Sequence, residues 1–497
     1  MNAVPAIRIR KCNDARLRPD RQYVLYWMIA NRRLQYNFAL DRALEHCEKL
    51  GKPLVILEAL RVEYRWASDR MHGFVLDGME MNQRVCREHR IRYLAYVETK
   101  AGEGKGLLKS LAENACAVVT DDYPCFFLPQ MVASAGKQLD VLLEEVDSNG
   151  LLPIHTTDQA FRRAFDFRRY LQRELGKHLE QFPMADPLHT SKMAAAAQIA
   201  GRVLTKWPMA SAEMLHSSAK ALATLPIDHA VKPTGIRGGS EAACRRMAEF
   251  FDHGFDRYGT HRSEPEADAS SGFSPYLHFG HLSVHEIFTK LAKKEKWTIE
   301  RLSLRATGSR EGWWNISSTA ESFLDELITW REAGFNFAVH RADHDQYESL
   351  PEWAKGTLQK HARDEREHVY SLEEFEQART HDTLWNAAQG QLVREGRIHN
   401  YLRMLWGKKI LQWTRRPEEA AEIMIHLNNK YALDGRDPNS YTGIFWVLGR
   451  YDRPWAPERP VFGTIRYMSS ENTAKKFPVK RYIEKYGRAE AQSRRIE

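Results

Sequence analysis

Residues Tyr23–Gly51 read YVLYWMIANRRLQYNFALDRALEHCEKLG, and Pro53–Leu60 follow with PLVILEAL. A short β-rich run, a helical stretch closed by glycine and a second β-rich run make one strand–helix–strand unit. The texture repeats to about Pro153 through IRYLAYVE, CAVVTDDYP and QLDVLLEEV, with another helical stretch from Ser68 to His89. Such a βαβ series predicts an α/β fold with a Rossmann-like, mostly parallel sheet covered on both faces and any ligand at the carboxyl ends of its strands. No G-x-G-x-x-G follows the first strand, which argues against a nicotinamide cofactor bound in the usual way.

Beyond Leu151 the strand texture stops. FRRAFDFRRYLQRELGKHLEQF (161–182) is an arginine-rich helix, Pro183 to about Pro233 reads as a long inter-domain connection with some helix, and from Ser240 nearly everything has helical period. The expected organisation is an N-terminal arm (1–22), an α/β domain (23–175), an inter-domain linker (176–232) and an all-helical domain (233–497). A chain of 497 residues is too long for one ordinary core. With 43% hydrophobic and 28% charged residues it reads as soluble and globular, with no apolar run of the about eighteen residues a bilayer demands. The N-terminus lacks the apolar core of a secretion signal. Six scattered cysteines signal neither disulfides nor a metal centre, so metal ligands are expected to be none. The net charge of +8 admits a polyanionic partner. Ten of the thirteen tryptophans lie beyond Leu291, which moves the aromatic chemistry into the helical half.

Three of them share one hairpin, HDTLWNAAQGQLVREGRIHNYLRMLWGKKILQWTRRP (381–417). Trp406 and Trp413 are two helical turns apart, about 10 Å along the axis, and Trp385 on the preceding helix can bridge them. Rings so placed can pass single electrons between a buried oxidant and solvent; the same spacing also fits an apolar stripe with Leu402, Leu405 and Ile410.

The phrases YVLYWMIANRRLQYNFALDRALE, SLEEFEQARTHDTLWNAAQ, YLRMLWGKKILQWT, LNNKYALDGRDPN and RPWAPERPVFGTIRYM occur in this order over most of the chain. Together they resemble the class II cyclobutane pyrimidine dimer photolyases of the photolyase/cryptochrome superfamily. The resemblance implies an N-terminal antenna domain, a C-terminal helical domain binding FAD, and light-driven electron transfer to a dimer in DNA. It implies that Trp406, Trp385 and Trp413 form the photoreduction relay in that order from the flavin, and that Asn428 faces flavin N5, where an amide can donate or accept. Arg403 and Asp434 match a charge pair beside the isoalloxazine, although a surface ion pair reads the same way; Asp437 is assigned to the flavin region.

For the phosphates, Gly238 and Gly239 ahead of a helix offer backbone N–H groups, and Ser271, Phe273 and Ser274 in SSGFSPYLHFG resemble a phosphate-binding loop; a turn followed by proline at the first helical position explains the latter letters equally. Glu326 and Trp330 share a helix face, and with Met404 and Trp446 they are implied to line the dimer pocket. Glu326 would donate a hydrogen bond if burial keeps it protonated; a salt-bridged helix glutamate is the alternative. Arg453, Trp455 and Arg466 match the segment that enters the vacated duplex and holds the opened strand.

Three features depart from the family. HFGHLSVHE (278–286) places His281 and Glu286 where HFGQ-I-S-x-x-R is usual, so an acid can replace a cation near the pocket. The segment 293–322 is longer than the family's connection and carries Trp313 and Trp314. Asn400 resembles other branches, and Ser440 stands where those branches have their N5 asparagine. The expected function is a deoxyribodipyrimidine photo-lyase, a carbon–carbon lyase that splits dimers in UV-damaged double-stranded DNA with FAD and an antenna chromophore, deazaflavin or folate, left open. The alternative is a cryptochrome-like blue-light photoreceptor with the same flavin and relay. A monomer is expected, away from membranes, cytoplasmic with the nucleoid, or nuclear or organellar in a eukaryote.

Overall fold

Every residue of strands β2 (Tyr23–Met28) and β5 (Ala115–Asp121) is buried, as strands covered on both faces must be. In the computed structural model, which describes residues 3–190 and 195–487, they are neighbours in a six-stranded sheet of order β1-β6-β5-β2-β3-β4. The others are β1 (Ile9–Lys11), β3 (Leu54–Leu60), β4 (Arg92–Val97) and β6 (Leu143–Val146). All pairs are parallel except β1 with β6. The crossovers use capped helices: α1 (Phe38–Leu50) starts on Asn37, whose side chain accepts from the Ala39 and Leu40 N–H groups, and stops at Gly51, φ 61°. Helix α2 (Asp69–Glu88) starts on Ser68.

The chain reverses its winding direction between β2 and β5, where an open α/β sheet offers its crevice. Here Asp121 fills the turn. Its carboxylate accepts from the N–H groups of Ile29, Ala30 and Asn31 at 2.8, 2.8 and 3.0 Å and from the Tyr26 hydroxyl at 2.7 Å.

The chain divides into two units. The α/β unit holds Met1–Asp158, Glu174–Ala248 and Phe273–Glu300; the helical unit holds Gln159–Arg173, Glu249–Gly272 and Arg301–Glu497. This differs from the expected division in three ways. The arm supplies β1, pairing Ile9 with Val146, and buried Arg8 binds Asp147, Gly150 and Leu151. A three-residue edge strand carrying two charges leaves no alternation to read. The 176–232 connection, of which 191–194 lie outside the described residues, packs on the α/β unit through short helices; Leu215, Leu222 and Leu225 join the sheet core and the Trp207 indole N–H meets the Glu103 carbonyl at 3.0 Å. Helical pieces of four to six residues are too short to show a period. Finally, helix α3 (Ala164–Glu174) belongs almost wholly to the helical unit.

The helical unit is built on α4 (Ser318–Leu324) and α5 (Arg331–His340), joined by a wide π-helical turn at Asp325–Trp330, and on α6 (Thr383–Glu395), α7 (Asn400–Trp413), α8 (Pro417–Tyr431) and α9 (Pro438–Val447). Its core joins Trp385, Trp406 and Trp413 to Leu402, Leu405 and Phe445. Among the described residues no helix is long and apolar enough to cross a membrane.

Asp121→Leu should strand three buried N–H groups and lower stability by about 3 kcal/mol or more. Asp121→Asn, which keeps one acceptor oxygen, should fall between. Urea unfolding followed by circular dichroism measures both, and equal midpoints for all three proteins would refute the role given to this carboxylate.

Candidate active site

Asp382 begins the hairpin by accepting the Trp385 N–H at 2.9 Å, and Gly396, φ 68°, ends α6 so that the chain can turn into α7. Trp385, Trp406 and Trp413 are 0, 1 and 2% exposed. The Trp385 indole N–H donates to the Trp406 backbone carbonyl at 3.0 Å, the Trp406 indole to Gln389 Oε1 at 2.9 Å, and the Trp385 and Trp413 rings stand edge-on with centroids 6.0 Å apart. Contact therefore runs Trp406, Trp385, Trp413. The buried Trp413 does not itself end at solvent: half-buried Tyr370 and exposed His381 lie against it at 5.6 and 5.0 Å, and the Tyr370 hydroxyl bonds His381 Nδ1 at 2.7 Å. Burial and nearby His368 hold the His381 imidazole below the usual histidine range. Nothing in the sequence pattern singled out this pair.

On the same helix Arg403 Nη2 meets both Asp434 oxygens, at 3.0 and 3.2 Å. Its Nε is buried without a hydrogen-bond partner among the described residues, as are both ring nitrogens of His399 one turn earlier. Burial pulls the His399 pKa down to about 4, so this polar surface carries a neutral imidazole at neutral pH. Asn428, 1% exposed, donates its amide to Ser440 Oγ at 2.7 Å, leaving its carbonyl oxygen as the free end. Orphaned donors beside a fixed charge pair and a buried amide fit a polar, planar ring system. Asp437 caps α9 by accepting the Asn439 N–H at 2.8 Å.

Trp330 and Trp446 face one another at 5.3 Å, both half-buried, in the same unit as Met404. Glu326 is half-buried and accepts from Arg262 Nη1 at 2.6 Å, the ion-paired arrangement of the two readings. The pairing spans 64 residues, beyond the reach of any local pattern. In the loop after α9 the Trp455 ring, 36% exposed, lies between the guanidinia of Arg453 and Arg466 at 4.9 and 5.0 Å, with its indole N–H on Asp452 at 3.1 Å. This is an exposed cationic and aromatic prong.

The expected phosphate donors are differently used. The Gly238 N–H donates to Asp77 at 3.0 Å and the Gly239 N–H to His281 Nδ1 at 2.9 Å. A Cβ at Gly238 would come within 1.9 Å of the Phe74 carbonyl, so close packing on α2 explains the glycine. His281 is buried against Phe74, with its pKa pulled down to about 3 by burial, and serves as a neutral acceptor. Both glycines lie in the α/β unit, as do Phe273 and Ser274, while Ser271 falls in the helical unit. The latter two open a five-residue helix with proline in its first turn. Glu286, expected near the pocket, belongs to the α/β unit, where it accepts from the Cys244 thiol at 3.4 Å and burial raises its pKa.

No family model matches the chain. It is 33% identical over 483 residues to the deoxyribodipyrimidine photo-lyase of Methanothermobacter thermautotrophicus, covering 97% of this chain and 98% of the relative. It is 31% identical to the enzyme of the same name from Arabidopsis thaliana, covering 93% of this chain and 88% of the relative, and 31% identical to that from Potorous tridactylus, covering 96% and 84%. The fold matches the crystal structure of a bacterial class III photolyase from Agrobacterium tumefaciens with a TM-score of 0.67 at 16% identity, over 94% of this chain and 86% of that one. End-to-end identity above 30%, on a photolyase fold, establishes that the chain belongs to the deoxyribodipyrimidine photo-lyase family.

Proposed function

We propose that the helical unit binds FAD and splits cyclobutane pyrimidine dimers flipped out of double-stranded DNA. The observation that carries this is the placement of Arg403, Met404 and Trp406 within four residues of α7: Arg403 is paired to Asp434, Trp406 starts the indole chain, and Met404 between them is the residue that the family resemblance assigns to the dimer pocket. When bound and reduced, FAD excited by near-UV or blue light supplies one electron to the dimer and regains it after the ring opens.

The chain's own residues do the rest. Arg403 and Asp434 fix opposite charges where the ring system would sit, setting its potential. Ser440 holds the Asn428 amide by its nitrogen, so the amide oxygen would be left to accept a ring N–H of a bound flavin. The facing rings of Trp330 and Trp446 offer an apolar surface of the kind that suits a cyclobutane edge, and the Arg262–Glu326 pair sets an Nη donor beside a carboxyl group four residues before Trp330. Trp455, stiffened by two guanidinia, fills the space left in the duplex, and unstacking is cheapest at a damaged pair. The indole chain refills the flavin and takes no part in ring opening.

The test is light-dependent loss of dimers from duplex DNA by anaerobically reduced protein. No loss under light, with photoreduction of the flavin retained, would overturn repair in favour of a light sensor. Trp406→Phe should abolish photoreduction of the oxidised flavin while leaving repair by chemically reduced protein within about threefold, since the relay is separate from turnover; parallel loss of both would assign Trp406 to the substrate side. Ser440→Ala should free the Asn428 amide to turn, shifting the flavin's redox midpoint without weakening dimer affinity; an unchanged midpoint would remove Ser440 from the site.

A further inference from the structure

Helix α3 has two faces with different partners. Its inner face is locked into the helical unit: buried Arg168 makes a bidentate pair with Asp325 at 2.9 and 3.1 Å, directly before Glu326, and Phe167 and Leu171 are buried. Ahead of the helix, Arg163 bridges in parallel to Tyr451, whose ring stands edge-on to Trp330 at 6.4 Å. The helix is thus tied both to the turn bearing Glu326 and Trp330 and to the base of the Trp455 prong.

The outer face carries Phe165, Arg169 and Arg173 at four-residue spacing, all exposed, with Phe165 48% exposed. The longer connection joins it here. Gln172 staples the loop by accepting the Gly308 N–H at 2.7 Å and donating to the Ser309 carbonyl at 2.8 Å, and the Phe165 ring lies against Gly308. Buried Trp313 and Trp314 anchor its far limb, and the Ser303 N–H meets the Trp313 carbonyl at 2.8 Å. At the tip of this ordered loop stands Leu304, 103% exposed, next to exposed Arg305.

Arg162, Arg169, Arg173 and Arg305 have no ion-pair partner among the described residues. The acids nearby are Asp166, held by Arg163 at 2.6 and 2.9 Å, Glu174, held by Lys177 at 2.6 Å, and exposed Glu311. Unpaired guanidinia interleaved with exposed apolar side chains on a braced surface fit a polyanion with an apolar sugar face. From Phe165 to Arg173 the helix runs about 12 Å, three to four nucleotide steps along one strand.

We propose that the outer face of α3 and the loop 301–317 form a second DNA contact, taking the phosphodiester backbone of the substrate duplex outside the lesion. Arg169, Arg173 and Arg305 bind phosphates, and Phe165 and Leu304 pack on the sugars. This rests on the reading that dimer-bearing duplex DNA is the substrate.

The experiment compares the flavin-loaded full chain with Arg169→Ser/Arg173→Ser/Arg305→Ser and with a charge-matched control, Lys49→Ser/Lys105→Ser/Lys137→Ser. Each is titrated against salt on two dimer-containing duplexes, one ending about four base pairs either side of the lesion and one about fifteen, with a plain long duplex for reference. On the long duplex the arginine variant should bind at least tenfold more weakly near 0.15 M salt, with a log–log salt slope shallower by between about two and three, the value for three lost phosphate contacts. The short duplex should be bound within twofold by both. An unchanged slope on the long duplex overturns the proposal, and so does an equal loss on the short duplex or in the lysine control. A parent that binds dimer-bearing and plain duplexes alike overturns the substrate reading, and this contact with it; a parent that prefers the dimer but whose slope survives the substitutions overturns this contact alone.

Discussion

A buried indole N–H left without an acceptor is costly, and in the α6–α7 hairpin Trp385 finds the backbone carbonyl of Trp406 while Trp406 finds Gln389 on the helix that carries Trp385. These two bonds cross the α6–α7 interface in opposite senses. Turning either helix by one residue, about 100°, would orphan both donors at roughly 1–3 kcal/mol each. The register they impose orders the indoles and also aims α7, so that Arg403 reaches Asp434. Charge pair and aromatic chain are therefore one construction, and neither can shift without the other.

The α/β half was legible because burial on both faces writes itself into continuous apolar runs, and β2, β3 and β5 show them. The charged edge strand β1 and the short helices of 201–222 carry too few residues to set a period, so the sequence shows only an arm in the first place and a connection with some helix in the second. The hairpin was legible for a different reason: Asp382 and Gly396 are local stop signals, and seven-residue spacing of tryptophan is rare enough to notice. What local pattern could not supply were contacts made across long stretches of chain. Arg262 on Glu326, Tyr370 on Trp413 and His281 under Gly239 each join distant segments, and each changed the reading of a residue already singled out. Gly238 and Gly239 look like a phosphate cradle in one dimension and prove in three to be the place where α2 comes closest.

Electrostatics follows the same division. Where a buried charged group faces an opposite charge the two form a directional pair, as with Arg168 on Asp325. Where it has none, burial removes the charge, as with the His399 imidazole, whose two nitrogens remain available as neutral donor and acceptor. The unit thereby keeps a polar surface next to Arg403 without adding a second cation to it.

The interleaved path of the chain bears on how the protein is made. Arg168 leaves the ribosome 157 residues before Asp325, its bidentate partner, and at about 5–20 residues per second that gap lasts roughly ten to thirty seconds. Throughout that interval α3 has an apolar and cationic inner face and nothing to cover it. The helical unit cannot begin to close before most of the chain exists, and a C-terminal fragment starting at residue 233 would lack α3 altogether, leaving buried Asp325 without its guanidinium. Two units in space are thus a single unit in biosynthetic time.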